Sequence, residues 1–396
     1  MTQINIYLAR RERVYSYLRE NNIDIVILRD SEGRRNKSIR YLTGHPMDAT
    51  LIILSETLTP TREKGKTVLV PWDINIAKRM AVVDALLPSE IYRKNLEELI
   101  EEIESGEKIP FTKSIKAKKP KRVEVSGNFS YPEVSRIEQI EGIEIICKEG
   151  GIDSFLLNQR MLKDQLEIEI LKRAAEITDG VIDRIERLLK GKIKWLSSPK
   201  DLTEIDLKLF IDKTLREIGG ETTGFETLVA SPGRSFSIHT VPAYSSEKLL
   251  TPGLALVDFG VEYNGYTSDV TIPIIVEPLT QKQQTILELV LKAYNRAVGM
   301  LHDSLKIEEL TKEVDKIFEE RGFKMPHSLG HGIGLDVHEK PLLREKEKPE
   351  TLKAGNIITI EPGLYDPKEG GIRIENDFLI TATGYEQLTH SKPIFI

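Results

Sequence analysis

The chain has 396 residues, 30% of them charged, and a net charge of −6 at pH 7. That length allows two domains and ample core, and the ordinary charge balance gives no reason to expect nucleic acid as a partner. Cys147 is the one cysteine, which excludes a disulfide framework and a cysteine-based zinc site.

The opening stretch, "MTQINIYLARRERVYSYLRENN", has no apolar core of signal-peptide length, and no segment approaches about 18 apolar residues. A cytoplasmic protein without a membrane partner is expected. Leu8, Val14, Tyr15 and Leu18 share a helix face, and "IDIVIL" (23–28), "DATLIIL" (48–54) and "KTVLVPW" (66–72) read as buried strands. Leu96, Leu99, Ile100 and Ile103 have helical spacing. The basic run Lys113–Arg122 has no interleaved aromatic and contains a proline, so it reads as a solvated loop. Alternating strands and helices predict a small three-layer α/β domain over residues 1–152. It holds no cluster of candidate ligands.

Gly150-Gly151 punctuates the chain, and a second domain is expected over 153–396. A long helical pattern begins at Ser154 and runs through "FLLNQRMLKDQLEIEILKRAAEITDGVIDRIERLL"; a helix pair flanks the Lys190–Asp201 loop. After Gly219-Gly220 the pattern turns to strands, with helices from Gln281 to about Met300 and from Ile307 to about Arg321.

Within "LALVDFGVEYNGYTSDVTIPI" (254–274), Asn264-Gly265 is a strong two-residue hairpin signal. Pairing Tyr263 with Tyr266 sets Asp258 opposite Thr271, and Asp269 lies two residues from Thr271, on the same face. Two carboxylates aimed together from apolar strands repel each other and lose hydration, and a cation between them removes the conflict. "HSLGHGIGLDVHE" (327–339) holds three of the seven histidines. Glycine at every second position argues against helix, so the stretch reads as loop or irregular strand presenting imidazoles. In "NIITIEPGLYDPKEGGIRIENDFLI" (356–380), Glu361 ends an apolar run and Glu375 lies inside the next. Four carboxylates and His331 suit hard or borderline divalent ions and are enough for two of them.

At these residues the sequence resembles the pita-bread metallopeptidases, the prolidase and aminopeptidase P branch with a creatinase-type N-terminal domain. The likeness rests on "LVDFG", "SDVT", "GHGIGLDVHE", "TIEPGLY" and "GGIRIEND", with "IRYLTGH" (39–45) similar to the N-terminal domain. It implies an α+β architecture: a C-terminal pita-bread (creatinase/aminopeptidase) domain preceded by a smaller α/β creatinase-like domain. It also implies a dinuclear exopeptidase cleaving the Xaa-Pro bond of dipeptides or short peptides, working as a homodimer. Manganese is first among the candidate metals, with cobalt, zinc or iron as alternatives. By the same resemblance, Asp258 chelates one metal, His331 binds the other, and Asp269 and Glu375 bridge both. Glu361 binds the second metal and is the general base. His239, His327, His338 and Arg373 match outer positions that bind substrate and stabilise the transition state, with His338 and His239 counted beside Glu361 as catalytic. The glycines around His331 are expected to let its backbone pass close to metals and substrate. Two positions depart from the pattern: Ile272-Pro273 stand where the family usually has Arg-Thr, and Ile238 stands where a proline usually precedes the histidine. Pro273 fits only a strand end or edge. The rival readings are a creatinase-like amidinohydrolase and a catalytically inactive binding protein of the same fold.

Overall fold

In the computed structural model of the chain, the three apolar runs near the N-terminus are strands: β1 (Ile25–Asp30), β2 (Ala49–Leu54) and β3 (Lys66–Pro71). The structure describes residues 3–58, 64–94, 98, 122–195, 201–345 and 350–396. The helix expected at 95–103 and the basic run from Lys113 lie outside the described residues, Glu98 and Arg122 excepted. With β4 (Ala85–Leu86), β5 (Arg122–Val125) and β6 (Glu144–Ile146), these strands form one sheet in the order β4-β3-β2-β1-β5-β6. Ile25 and Ile27 point to one face of β1 and Val26 and Leu28 to the other, and all four are buried. A strand buried on both faces reads as a continuous apolar run, which is why it was visible in the sequence.

The chain divides into two compact units, Met1–Gln159 and Arg160–Ile396. The helix Ile152–Arg160 carries both that division and the boundary expected at 152/153. The unbroken helical pattern expected from Ser154 is in fact two helices, Ile152–Arg160 and Gln165–Leu189. Asp164 causes the break. Its backbone is extended, its side chain accepts from the amides of Leu166 and Glu167, and Glu167 accepts from its amide in return. This reciprocal cap starts a new helix inside a continuous apolar period. Among the described residues no helix is long and apolar enough to cross a membrane.

In the second unit the helices Gln165–Leu189 and Glu204–Glu217 share a core with β9 (Gly253–Phe259) and β12 (Val270–Val276). Those two strands pair in the predicted register, with Thr271 opposite Asp258. Between them β10 (Val261–Tyr263) and β11 (Tyr266–Thr267) close the hairpin and join β7 (Thr222–Thr223) in a separate sheet. A four-stranded sheet runs β20 (Ile394–Phe395), β12, β9, β8 (Leu228–Ala230). A five-stranded sheet runs β14 (Glu339–Leu343), β13 (Gly330–Gly332), β15 (Ile357–Ile360), β18 (Asn376–Thr381), β19 (Gly384–Gln387). The ribbon β16 (Gly363–Asp366) with β17 (Gly370–Arg373) completes the set. Helices Gln281–Val298 and Ile307–Glu319 form a second core with Ile358, Ile360, Ile372, Ile374 and Phe378. Both end within two residues of expectation.

Side-chain parity then decides where the polar groups go. Val257 and Phe259 belong to the first helical core, so Asp258 points to the opposite face. Ile358, Ile360, Ile372 and Ile374 belong to the second core, so Glu361, Arg373 and Glu375 point away from it. Each strand buries one set of residues under helices and directs the other into a shared interior.

Pro273 is not at an edge: β12 lies between β9 and β20. Thr271 and Ile275 turn their carbonyls away from β9, to the amides of Glu375 and Ile396. Two-residue parity aims the Pro273 nitrogen the same way, into the interval between those two bonds. β20 pairs only with Ile274 and Ile275, so no ladder bond is lost there.

Candidate metal centre

All nine residues singled out in the sequence line one cavity of about 850 Å³: Asp258, Asp269, His331, Glu361, Glu375, His239, His327, His338 and Arg373. Three come closest. Ligand atoms of Asp269, His331 and Glu375 lie within 4.8 Å of one another, and all three residues are buried. The imidazole Nε2 of His331 is 3.7 Å from Oδ2 of Asp269 and 3.6 Å from Oε1 of Glu361. Its Nδ1 is 3.1 Å from the carbonyl of Gly332, so Nδ1 carries the proton and Nε2 offers its lone pair to the carboxylates. Burial, with the neighbouring His338, lowers the His331 pKa to about 4. A neutral imidazole at pH 7 is what a metal requires.

The carboxylates are pushed the other way. Burial, then the charges of Glu375 and Asp258, raise the Asp269 carboxyl well above its usual range. Burial and Glu375 raise Glu361, and burial and Asp258 bring Glu375 to about 7. Oδ1 of Asp258 and Oδ1 of Asp269 are buried without a hydrogen-bond partner. A buried anion without compensation is costly. The set of hard oxygens, one imidazole and unmatched lone pairs fits divalent cations.

Asp258 is outside the close trio, and Arg373 engages it. Arg373, 2% exposed, donates from Nη2 to Oδ2 of Asp258 at 2.5 Å, from Nε to Oγ1 of Thr271 at 2.9 Å and from Nη1 to the Tyr365 hydroxyl at 2.6 Å. Thr271 in turn donates to Oε2 of Glu375 at 2.7 Å. The guanidinium is thus a counter-charge inside the carboxylate group, its fork filled by protein partners.

The outer histidines ring the cavity. His338 is exposed on the cavity wall, its ring meeting that of His331 edge to face with centroids 4.4 Å apart. His327 lies 3.8 Å from Glu361 and 3.2 Å from the Tyr365 hydroxyl, and burial with the Arg373 charge lowers it to about 4. His239 is exposed on the cavity wall, near enough to oppose protonation of both His327 and His338. The glycines permit a close approach of strands. A side chain at Gly330 would strike the Thr359 carbonyl on β15, and one at Gly332 the Lys340 carbonyl on β14. The close approach is between strands, and the irregular pairing after His331 follows from it.

Four residues of the site went unnoticed in the sequence. Asp377 accepts from the amide of Asp269 at 3.1 Å and is buried. Its signal was parity, since 373, 375 and 377 alternate onto one face. Tyr365 lay inside a quoted motif without a role. Thr271 was used only as a register mark. Glu339, next to His338, is buried between Lys163, 2.9 Å away, and Arg160, which also reaches Asp336 at 2.6 Å. This anchors the histidine-bearing loop to the break between the two helices.

A model of metallopeptidase family M24 matches residues 169–382. The chain is 31% identical to the Xaa-Pro dipeptidase of Pyrococcus furiosus, over 97% of this chain and 98% of that one. The Xaa-Pro dipeptidase of Pyrococcus horikoshii is 29% identical over 98% and 99%. The solved prolidase of Pyrococcus horikoshii OT3 superposes with a TM-score of 0.80 at 26% identity, covering 98% of this chain and 100% of that chain. An Xaa-Pro dipeptidase from Bacillus anthracis gives 0.79 at 26%, over 98% and 100%. The chain belongs to metallopeptidase family M24 and carries its pita-bread fold.

Proposed function

We propose that this metallopeptidase hydrolyses the Xaa-Pro bond of dipeptides and of short Xaa-Pro-Xaa peptides, with a lean to the dipeptide. The observation that carries this reading is the gathering of Asp269, His331 and Glu375 within 4.8 Å, flanked by Glu361 and Asp258, in a cavity large enough for a short peptide. The relatives named as Xaa-Pro dipeptidases along nearly their whole length support the substrate class.

Asp258, Asp269, His331, Glu361 and Glu375 would hold two divalent ions, with Asp269 and Glu375 shared between them, Asp258 serving one and His331 and Glu361 the other, and manganese the first candidate. Such ions supply Lewis-acid activation of water and of the scissile carbonyl. Glu361 takes the proton of the attacking water, for which a carboxyl raised above its usual range by burial and by Glu375 is suited. His338 is neutral at pH 7 and donates to the developing oxyanion. His327 and His239 bind the peptide from the outer wall. Arg373 holds Asp258 and Glu375 in place rather than meeting the substrate carboxylate. A homodimer and a cytoplasmic location belong to the same proposal.

The test compares kcat/KM for Ala-Pro, Ala-Pro-Ala and Ala-Ala-Ala on enzyme loaded separately with manganese, cobalt and zinc. Ala-Pro is expected to lead. A faster Ala-Pro-Ala reverses the lean, and preference for Ala-Ala-Ala ends the proline assignment. An amidinohydrolase or an inactive binding protein would cleave none of the three.

A further inference from the structure

We infer that Arg234 and Glu204 form a clamp that positions the cavity wall carrying His239, and that this clamp sets the affinity for the peptide. The inference rests on the reading of His239 as a substrate-binding residue.

Six consecutive residues, Ile238 to Ala243, line the cavity. They sit on a long loop between β8 and β9 whose outer part is largely exposed, with Val241 94% and Phe236 46% exposed and only Thr240 between them buried. Hydrogen bonds must therefore fix its shape. The near limb is anchored by Ser235, which donates to the Leu254 carbonyl at 2.7 Å and accepts from the Gly371 amide at 3.0 Å. Arg373 reaches the Ile238 carbonyl at 3.3 Å. The foot of the far limb is tied by the Val229 amide to the Ala243 carbonyl at 2.8 Å.

Between those anchors lies the segment His239–Pro242. Arg234 crosses the loop to it, donating from Nη2 to the Pro242 carbonyl. Its Nη1 meets Oε2 of Glu204. Glu204, fully buried, opens the helix Glu204–Glu217, where an acidic residue would ordinarily serve only the helix dipole. Here its carboxylate also accepts from the Ser231 amide at 2.7 Å and the Ser245 hydroxyl at 2.8 Å. One buried anion thus gathers donors from both feet of the loop, and Arg234 extends it as a crossbar. Charge-assisted bonds of this kind are about twice as strong as neutral ones. A planar fork can serve two acceptors at once, which an ammonium on one stem does not reproduce.

The experiment measures Ala-Pro kinetics on the metal-loaded full-length enzyme for wild type, R234M, R234K, H239A and R234M/H239A. R234M keeps the apolar stem and is expected to raise KM about 10-fold, as a misplaced binding wall does, with kcat within about 3-fold. R234K keeps a charge on Glu204 but loses the Pro242 arm, so its KM rises too; it carries the comparison if R234M fails to fold. In the H239A background R234M is expected to add less than about 2-fold, because two changes acting through one contact are not additive. A wild-type KM in R234M and R234K overturns the clamp. A full additional 10-fold on H239A overturns its action through His239. A wild-type KM in H239A alone overturns the assignment of His239 on which the inference rests, and is read separately from the other two.

Discussion

Arg373 and Asp258 are joined by a 2.5 Å bond at the edge of a group of four carboxylates, with the guanidinium completely enclosed. Burial opposes the charge on Arg373, and the surrounding Tyr365, Asp258 and Glu375 more than offset it. R373K puts one compact ammonium where a planar fork met Asp258, Thr271 and Tyr365. A fall of about 10²-fold in kcat/KM for Ala-Pro is expected, because Asp258 loses its fixed orientation. Full activity in R373K would show that the fork has no such part.

His338 touches His331 edge to face yet lies outside the assigned ligand set. H338A should retain its metals and lose about 10²–10³-fold in kcat, the range for removal of one oxyanion donor. Elemental analysis beside the rate measurement separates the roles. Loss of metal from this variant would make His338 a ligand instead.

Glu339 gives a prediction in pH. Burial alone would raise its carboxyl, but Lys163 and Arg160 outweigh it and hold the folded value down to about 2, against 4.5 for the free group. A depressed acid contributes stability that is present above about pH 4.5 and lost as pH falls towards 2. E339Q, which leaves Lys163 and Arg160 without their shared anion, should cost about 3 kcal/mol at pH 7. Denaturant midpoints of the two proteins should therefore converge between pH 4.5 and 2. A gap that stays constant through that window would place the effect in packing rather than charge.

Much of the site was legible because β parity is strict. Asn264-Gly265 set the register, the register set Asp258 opposite Thr271, and the same parity brought Asp269 to that face. Glu361 and Glu375 could be picked out at the end of and inside apolar runs, and His331 as an imidazole in a glycine-rich stretch, and the structure directs all three into the same cavity. What stayed hidden depends on partners far along the chain. Arg373 was readable as a cation beside the candidate ligands, but not that Asp258, 115 residues away, would engage it. Glu204 looked like any first-turn acid until Ser231, Arg234 and Ser245 folded onto it. The helix break at Asp164 was missed for a local reason: its cap interrupts the backbone without interrupting the apolar period.

The central claim is that Asp269 and Glu375 hold divalent ions between them. Stripped wild type, D269A and E375A should be titrated with manganese, the bound ions counted per chain by elemental analysis, and Ala-Pro turnover followed on the same samples. Wild type is expected to take up two ions per chain and turn over, and each variant to lose both uptake and turnover, because a bridging carboxylate serves both ions. Two ions per chain retained in either variant would contradict the assignment.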